Sequence, residues 1–443
     1  MSGQKMSRRR MLRSMAAVGA GSVLVGAVAS CSPEAPAAPA AGTAAPAAGA
    51  AAGGEDIRVV GIFPVSGFIA ADGKEMRNGV VMAVDEINEM GGLLGRKLKY
   101  IEVDDVDSNA EQITTAFQRA VDVEKADVIF SGYHLASGPE FDIVAKSGTL
   151  YYNVNTQEAW TNRYKKDTGK YWSIFQNDPN DTWYGGGFAL WLDNLVKSGA
   201  YAPKDKTAAI LSGDDTYDSW IAQNFESKIK ELGWTVTSKE SFTVGNVSDW
   251  GALLSKVRGS PPAILFTTDY NPADDAAMAK QLAANPIPSL VYQQYGPSVP
   301  EYLNLAGDAA NGIIWATVLG LLTDPIGQDF RKRYQAKFGQ APGWANAGGC
   351  YDEVWVWAKS CALAGDPKDY KKIATMTERM IHRGVTGSIS FENHAGRAYP
   401  GQTSDPSLGQ PHIIVQLQDK QHKVVSPAPY NDGTFQLPPW IKG

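Results

Sequence analysis

The sequence contains little cysteine and little histidine, with three cysteines and five histidines in 443 residues. Beyond the N-terminal region the cysteines are Cys350 and Cys361, both in one predicted helix. Eleven helical residues rise about 16 Å, which is beyond the reach of a disulfide bond. The histidines do not have the spacing of metal ligands. The sequence therefore predicts two buried thiols, no metal site and no cofactor.

Motifs of the common enzyme classes are also missing. The chain has no phosphate-binding loop, no His-Glu-x-x-His and no Gly-x-Ser-x-Gly. Three glutamates that could suggest acid chemistry, Glu75, Glu111 and Glu140, have the spacing of helix-capping partners instead. The net charge of −6 disfavours nucleic acid as a partner. Catalysis is therefore not predicted.

The N-terminal 30 residues have the pattern of an export signal. Five basic side chains with no acidic one precede a short apolar run at 16–29. The run ends in Val28-Ala29-Ser30-Cys31, which resembles a bacterial lipobox, whose cysteine is acylated, and Ser7-Arg8-Arg9-Arg10-Met11-Leu12 resembles a twin-arginine signal. An uncleaved helical anchor is the alternative. Residues 31–54, rich in Ala and Pro, are expected to form a tether.

From Ile57 onward, buried-strand patterns alternate with helix starts. Three strands are each followed by capping-box spacing, at 72–75, 108–111 and 137–140. The same alternation begins again at Thr207. Strands that alternate with helices are typical of doubly wound parallel sheets. The sequence thus predicts an α/β protein with two such lobes and a ligand cleft between them.

Seven short stretches form a recognisable set of motifs: 61–73 (GIFPVSGFIAADG), 78–88 (NGVVMAVDEIN), 91–97 (GGLLGRK), 103–105 (VDD), 307–312 (GDAANG), 351–354 (YDEV) and 362–365 (ALAG). Together they resemble the leucine/isoleucine/valine-binding protein family of type I periplasmic binding proteins, which also includes short-amide and urea receptors. The resemblance runs from about Ile57 to the end of the chain.

This resemblance implies a fold and a function. The two doubly wound lobes would be joined by a three-crossover hinge, with 55–177 plus 313–388 in lobe 1 and 178–312 plus 389–443 in lobe 2. The protein would be the extracytoplasmic receptor of an ABC importer, a monomer that captures one small solute and delivers it to a membrane permease. A sensory module for a membrane kinase or chemoreceptor is the alternative.

Candidate site residues follow the predicted strands, because ligands of doubly wound sheets lie beyond the strands' carboxyl ends. In lobe 1 they are Ser66, Gly67, Tyr133, His134, Asn155 and Thr156, and in lobe 2 Tyr217, Asp269, Tyr270 and Tyr295. By the resemblance, His134 and Thr156 fall near the family's carboxylate-binding serine and threonine. Tyr217 falls on a family tyrosine, and Tyr295 stands where branched-chain binders have a glutamate.

Some of these residues have a second interpretation. His134 is a ligand contact or a packed loop histidine, and Asp269 is a partner for a ligand ammonium or a helix cap. Asp72 aligns near a ligand-contacting tyrosine of the family, but its spacing favours a helix cap. Four tryptophans are further candidates for the cleft wall: Trp160, Trp172, Trp183 and Trp220. The expected solute is a polar amino acid, then a short amide or urea, then an aromatic acid.

Overall fold

The computed structural model describes residues 54–136, 138–245, 247–391 and 406–441. The predicted export signal, Cys31 and the predicted tether as far as Gly53 lie outside the described residues. The described residues form two α/β lobes, each built on one sheet. The predicted fold class is confirmed.

The first lobe contains a five-stranded parallel sheet in the order β2-β1-β3-β4-β5. Its strands are β1 (Ile57–Phe63), β2 (Leu98–Asp104), β3 (Val128–Ser131), β4 (Leu150–Asn153) and β5 (Ile174–Gln176). The connecting helices are α1 (Ala70–Glu89), α2 (Ala110–Gln118), α3 (Pro139–Ser147) and α4 (Glu158–Lys166). The sheet is covered on both faces, because α1 packs in one hydrophobic cluster and α2 to α4 pack in another.

The second lobe repeats this order. Its sheet runs β7-β6-β8-β9-β10, the same order as β2-β1-β3-β4-β5, and adds β13 and β14 as antiparallel strands beyond β10. The strands are β6 (Thr207–Gly213), β7 (Thr235–Phe242), β8 (Ile264–Asp269), β9 (Leu290–Tyr295), β10 (Ile314–Thr317), β13 (Ile413–Gln418) and β14 (Gln421–Ser426). The helices are α5 (Thr182–Lys197), α6 (Thr216–Glu231), α7 (Gly251–Gly259), α8 (Pro272–Ala284) and α9 (Pro300–Ala306).

Later helices return to the first lobe. They are α10 (Pro325–Phe338), α11 (Asn346–Ala364) and α12 (Tyr370–Arg379), followed by the short antiparallel pair β11 (Ile381–Arg383) and β12 (Ser388–Ser390). α11 and α12 pack with α1 in the first lobe's core. Strand β10 pairs with β9 and β13, so the chain leaves the second sheet after Thr317 and not at the expected boundary of 312/313.

The helix starts differ in detail from the predicted capping boxes. α1 begins at Ala70 after Ile69, without a side-chain cap, so Asp72 is not the cap of this helix. α2 is capped by Asn109, which forms a capping box with Gln112, one residue later than predicted. Ser137 lies outside the described residues, and α3 has Gly138 at its N-cap. The strand-to-helix order was therefore predicted correctly, but the capping side chains were not.

The two cysteines of α11, Cys350 and Cys361, are free thiols and fully buried. This confirms the prediction of two buried thiols without a bridge. Among the described residues, none of the helices combines the length and the apolar character that a membrane span requires.

Candidate functional site: a cleft between the lobes

A cleft of about 620 Å³, including its open mouth, lies where strands of both sheets end. The lining side chains come from the loops that follow β3, β4, β8 and β10, from the end of β9, and from the starts of α5, α6 and α11. They are Tyr133, Leu135, Val154, Asn155, Thr156, Gln157, Tyr184, Asp215, Thr216, Tyr217, Tyr270, Tyr295, Leu319 and Asn346.

Most of the residues predicted from the sequence meet at this cleft. From the first lobe they are Tyr133, Asn155 and Thr156, and from the second lobe Tyr217, Tyr270 and Tyr295. The lobes touch here, because the rings of Tyr133 and Tyr295 lie 6.4 Å apart between centroids, nearly perpendicular at 83°. The structure therefore brings together predicted residues that are distant in sequence.

Ser66 and Gly67 do not line the cleft. The Ser66 hydroxyl donates a hydrogen bond of 2.6 Å to Asp104 Oδ2 at the end of β2. Gly67 has φ +83°, and a Cβ there would lie 2.0 Å from Asp107 Oδ1. The same oxygen accepts a hydrogen bond from the backbone N–H of Phe68. The two residues thus shape the loop after β1 and are not placed against the cleft.

His134 is also absent from the lining, although both neighbouring positions of its loop contribute to it. It is fully buried, with Nδ1 3.1 Å from both Asp105 Oδ2 and Ser108 Oγ. Its ring packs against Phe117 and Trp160. Burial lowers the pKa of His134, but the hydrogen bond and charge of Asp105 outweigh this effect, so the pKa is raised. These contacts correspond to the packed loop histidine.

Asp269 lies at the end of β8 but does not line the cleft. It is fully buried, and its Oδ1 accepts a hydrogen bond of 2.8 Å from the backbone N–H of Asn271. Asn271 in turn is the N-cap of α8 and accepts hydrogen bonds from Ala273 and Asp274. Asp269 therefore supports the start of α8, and it does not cap the helix itself.

The carboxylate that does reach the cleft belongs to Asp215, which the sequence analysis did not select. It is the N-cap of α6, and its Oδ1 accepts a 2.9 Å hydrogen bond from the backbone N–H of Asp218. Burial raises its pKa, while hydrogen bonds from Asp218 and Tyr270 lower it, and the net shift is upward. Within the described parts of the chain, Asp215 is the only carboxyl group that lines the cleft, and none of the lining residues is Lys, Arg or His.

The aromatic residues among the described lining residues are all tyrosines. Neighbouring rings meet edge to face, since Tyr184 lies 6.1 Å from Tyr217 at 77°, and Tyr217 lies 6.1 Å from Tyr270 at 71°. The hydroxyl of Tyr217 accepts a 3.0 Å hydrogen bond from Gln294. The hydroxyl of Tyr133 donates a 2.7 Å hydrogen bond to Asp72. Hydrogen bonds to the surrounding wall thus fix these rings in place.

Asp72 lies behind the cleft in the first lobe and accepts hydrogen bonds from two of the lining residues. Its two carboxylate oxygens accept hydrogen bonds from Tyr133 at 2.7 Å and from Asn346 Nδ2 at 2.8 Å, and both donors line the cleft. Burial raises the pKa of Asp72 to about 6, against the hydrogen bonds that lower it. Asp72 therefore positions two cleft residues, a role that differs from the predicted helix cap.

Tyr295 adopts an uncommon backbone conformation, with φ +67° and ψ −43°. Non-glycine residues seldom adopt positive φ, and such residues are frequent at binding sites. The next residue, Gly296, packs tightly, because a Cβ there would lie 2.2 Å from Asp275 Oδ2. The turn after β9 therefore places the Tyr295 ring, 6% exposed, against the cleft.

The four tryptophans that were candidates for the cleft wall lie elsewhere. Trp160 is buried in the core of the first lobe, and Trp172 and Trp183 pack against other hydrophobic clusters. Trp220 is 38% exposed on α6. None of them lines the cleft, so the prediction of tryptophan walls is wrong.

Comparisons with known proteins agree with this architecture. The sequence matches the profile of the family described as periplasmic binding protein over residues 56–418. The leucine-, isoleucine-, valine-, threonine- and alanine-binding protein of Pseudomonas aeruginosa is 25% identical over 348 residues, which are 76% of this chain and 86% of that protein.

Two solved structures are similar in fold. A Silicibacter pomeroyi protein assigned to branched-chain amino acid ABC transport is 34% identical, with a TM-score of 0.80 over 87% of this chain and all of that one. The substrate-binding protein LivJ of Streptococcus pneumoniae, solved with isoleucine, is 20% identical, with a TM-score of 0.69 over 84% of this chain and all of that one. The LivJ likeness shows the fold alone.

Proposed function

The chain belongs to the periplasmic binding protein family. Because of this membership, we propose that it is the extracytoplasmic receptor of an ABC importer. The receptor captures a small amino-acid-like or amide-like solute between its two lobes. The Pseudomonas aeruginosa relative is named for amino acids that it binds, which supports a small nitrogen-containing solute. The closed, liganded form is the species that a membrane permease recognises.

One observation carries this proposal: a single cleft is lined by both lobes. Asn155 and Thr156 contribute from the first lobe, and Asp215 and Tyr217 from the second. A ligand that contacts both walls binds the closed arrangement more tightly than an open one, so binding shifts the population towards closure. Closure is the signal that a permease reads.

The side chains that line the cleft can bind an uncharged or a cationic polar group of a solute. Asn155, Thr156, Gln157 and Asn346 supply amide and hydroxyl groups, which donate and accept hydrogen bonds. The leucine and valine at the cleft, Leu135, Leu319 and Val154, supply apolar area. A few polar groups among apolar and aromatic side chains are typical of small-molecule sites.

The location of the receptor belongs to the same proposal. The basic segment, the apolar run and Cys31 support export and attachment by an acylated cysteine, with 31–54 as a tether to the lobes. A sensory receptor would bind its solute in the same way. Solute uptake by cells with and without the protein separates transport from sensing.

The binding proposal is tested by thermal shift on residues 54–443 with millimolar amino acids, short amides, urea and aromatic acids. A solute at a thousandfold over its Kd stabilises the fold by about 4 kcal/mol, which raises the Tm visibly. Tyr217→Ala should abolish the shift. Trp220→Ala, an exposed residue three positions along the same helix, is the matched control and should retain it. An equal shift in both variants would refute the cleft as the binding site.

A further inference from the structure

The cleft has an unusual concentration of tyrosine. Five tyrosines line it: Tyr133, Tyr184, Tyr217, Tyr270 and Tyr295. Three ring pairs among them meet at 71° to 83° with centroids 6.1 to 6.4 Å apart. Rings at nearly right angles are arranged like adjoining walls of a box. The tyrosines come from both lobes, so the box is completed only when the lobes meet.

The charge of the cleft has one sign. Among the residues that the structure describes, Asp215 lines it, and no lysine, arginine or histidine does. A solute carboxylate would therefore find no cationic side chain among the described lining residues and would lie near the Asp215 carboxylate. A positively charged solute group would meet that carboxylate and the negative faces of the surrounding rings.

Further acidic groups lie behind the second-lobe wall. Asp218, Asp269 and Asp275 are fully buried, and within the described part of the chain none of them forms an ion pair with a basic side chain. Their electrostatic interactions connect them to one another, and those of Asp218 and Asp269 also reach Asp215. Burial raises the pKa of all three carboxyl groups well above the ordinary value, so they favour the neutral form and Asp215 is the group of this wall that presents negative charge to the cleft.

From the tyrosine box and the single carboxylate, we propose that the solute is a small organic cation whose alkylated ammonium group is enclosed by Tyr133, Tyr217, Tyr270 and Tyr295 and faces Asp215. This inference rests on the proposed receptor function, and it replaces the amino-acid-like or amide-like solute of that proposal with an organic cation. Alkylated ammonium ions suit aromatic boxes because their charge is spread over methyl groups that also bury apolar area. Hydrogen bonding to the ring hydroxyls is not required, and those of Tyr133 and Tyr217 are already engaged by Asp72 and Gln294.

The test is isothermal titration calorimetry, which measures the affinity of residues 54–443 for choline and for 3,3-dimethylbutan-1-ol, the uncharged isostere of choline. The isostere has the same shape but carries carbon in place of the charged nitrogen. Choline should bind at least tenfold more tightly than the isostere. Tetramethylammonium is titrated as a second cation, and leucine and acetamide as the carboxylate-bearing and neutral alternatives.

Two variants connect the binding to named groups. Asp215→Asn removes the charge but retains an N-cap residue for α6, and it should weaken choline binding at least tenfold with little effect on the isostere. Asp214→Asn makes the same charge change one residue away, on an exposed side chain outside the cleft lining, and should leave the affinity within twofold. Tyr270→Leu should weaken choline binding at least tenfold, with far-UV circular dichroism as the check on folding.

The outcomes are distinct. Equal affinity for choline and its isostere, or no binding of either cation, overturns the inference. If leucine or acetamide binds while the cations do not, the inference fails but the proposed function stands. If no solute of any class binds, the proposed function fails with it. Equal loss of choline binding in the Asp214 and Asp215 variants would also overturn the assignment, because a general charge effect would then explain both.

Discussion

Glu75 provides a test of the packing between the first lobe's helices. It lies on α1, buried, and its carboxylate accepts hydrogen bonds from the Gly343 backbone at 2.8 Å and the Tyr334 hydroxyl at 3.0 Å. Burial is the main cause of its raised pKa, which lies at about 7 against an ordinary 4.5. The two hydrogen bonds lower the pKa but do not cancel the effect of burial.

The sign of the pH effect follows from this shift. Below pH 4.5 the carboxyl group is protonated in both the folded and the unfolded chain. Between pH 4.5 and about 7 the unfolded chain ionises first, so the free energy of unfolding falls as pH rises. Raising a carboxyl pKa from 4.5 to about 7 corresponds to about 3 kcal/mol of lost stability once both forms are ionised.

The perturbation is Glu75→Gln, which keeps the shape and removes the ionisation. The glutamine oxygen can accept from the Gly343 N–H, and its amide can donate to the Tyr334 hydroxyl. One altered hydrogen bond gives a constant offset of about 1 kcal/mol, which does not vary with pH. The difference in unfolding free energy, variant minus wild type, should therefore rise by about 3 kcal/mol from pH 4.5 to pH 8.

Urea denaturation of residues 54–443 at several pH values measures this difference. Glu89→Gln, at the exposed end of the same helix, is the matched control and should give a difference that does not change with pH. If Glu75→Gln gives a pH dependence parallel to the wild type, the reasoning that burial raises this pKa is refuted.

Two further predictions concern other buried groups. Asp352→Ala should lower the unfolding free energy by about 3 kcal/mol or more, because its carboxylate accepts backbone and hydroxyl hydrogen bonds at Thr386. Urea denaturation measures this, and the exposed Glu378→Ala should change little. The thiols of Cys350 and Cys361 are buried, and burial raises the pKa of Cys361 to about 12. In residues 54–443 neither should react with a chromogenic disulfide reagent at pH 7 until denaturant is added, and rapid reaction of the native protein would contradict the buried assignment.

The fold was predictable because its signals are local. Apolar strand segments, each followed by a helix start, specify a doubly wound parallel sheet, and the structure has one in each lobe. The sequence did not predict that the strand Ile314–Thr317 belongs to the second sheet, since the residues from 313 onward were assigned to the first lobe. A short apolar run indicates a buried strand, but its partners, here β9 and β13, depend on packing between segments far apart in sequence.

The site was predictable where its residues directly follow strands. Tyr133 and Tyr270 were found in this way, because the carboxyl ends of parallel strands converge. Tyr184 and Asn346, at the starts of α5 and α11, carried no such signal. Their positions depend on how the lobes and helices meet.

His134 and Asp269 show the limit of the same rule. Both come just after or at the end of a strand, yet their side chains turn into the protein and bond to Asp105 and to the Asn271 backbone. A residue that follows a strand has its backbone near the cleft, but its side chain can point either into the cleft or into the protein. Asp215 also follows a predicted strand and lies two residues before the selected Tyr217, so the same rule could have selected it.

The most direct measurement of solute capture between the lobes is the affinity of one bound solute for two variants, one from each wall. Thr156→Val replaces a hydroxyl on the first lobe, and Asp215→Asn removes a charge on the second. Titration calorimetry with a solute identified by the thermal-shift screen should give one site per chain and at least tenfold weaker binding for each variant. Unchanged affinity in both variants, with folding intact, would show that the solute does not bind between the lobes.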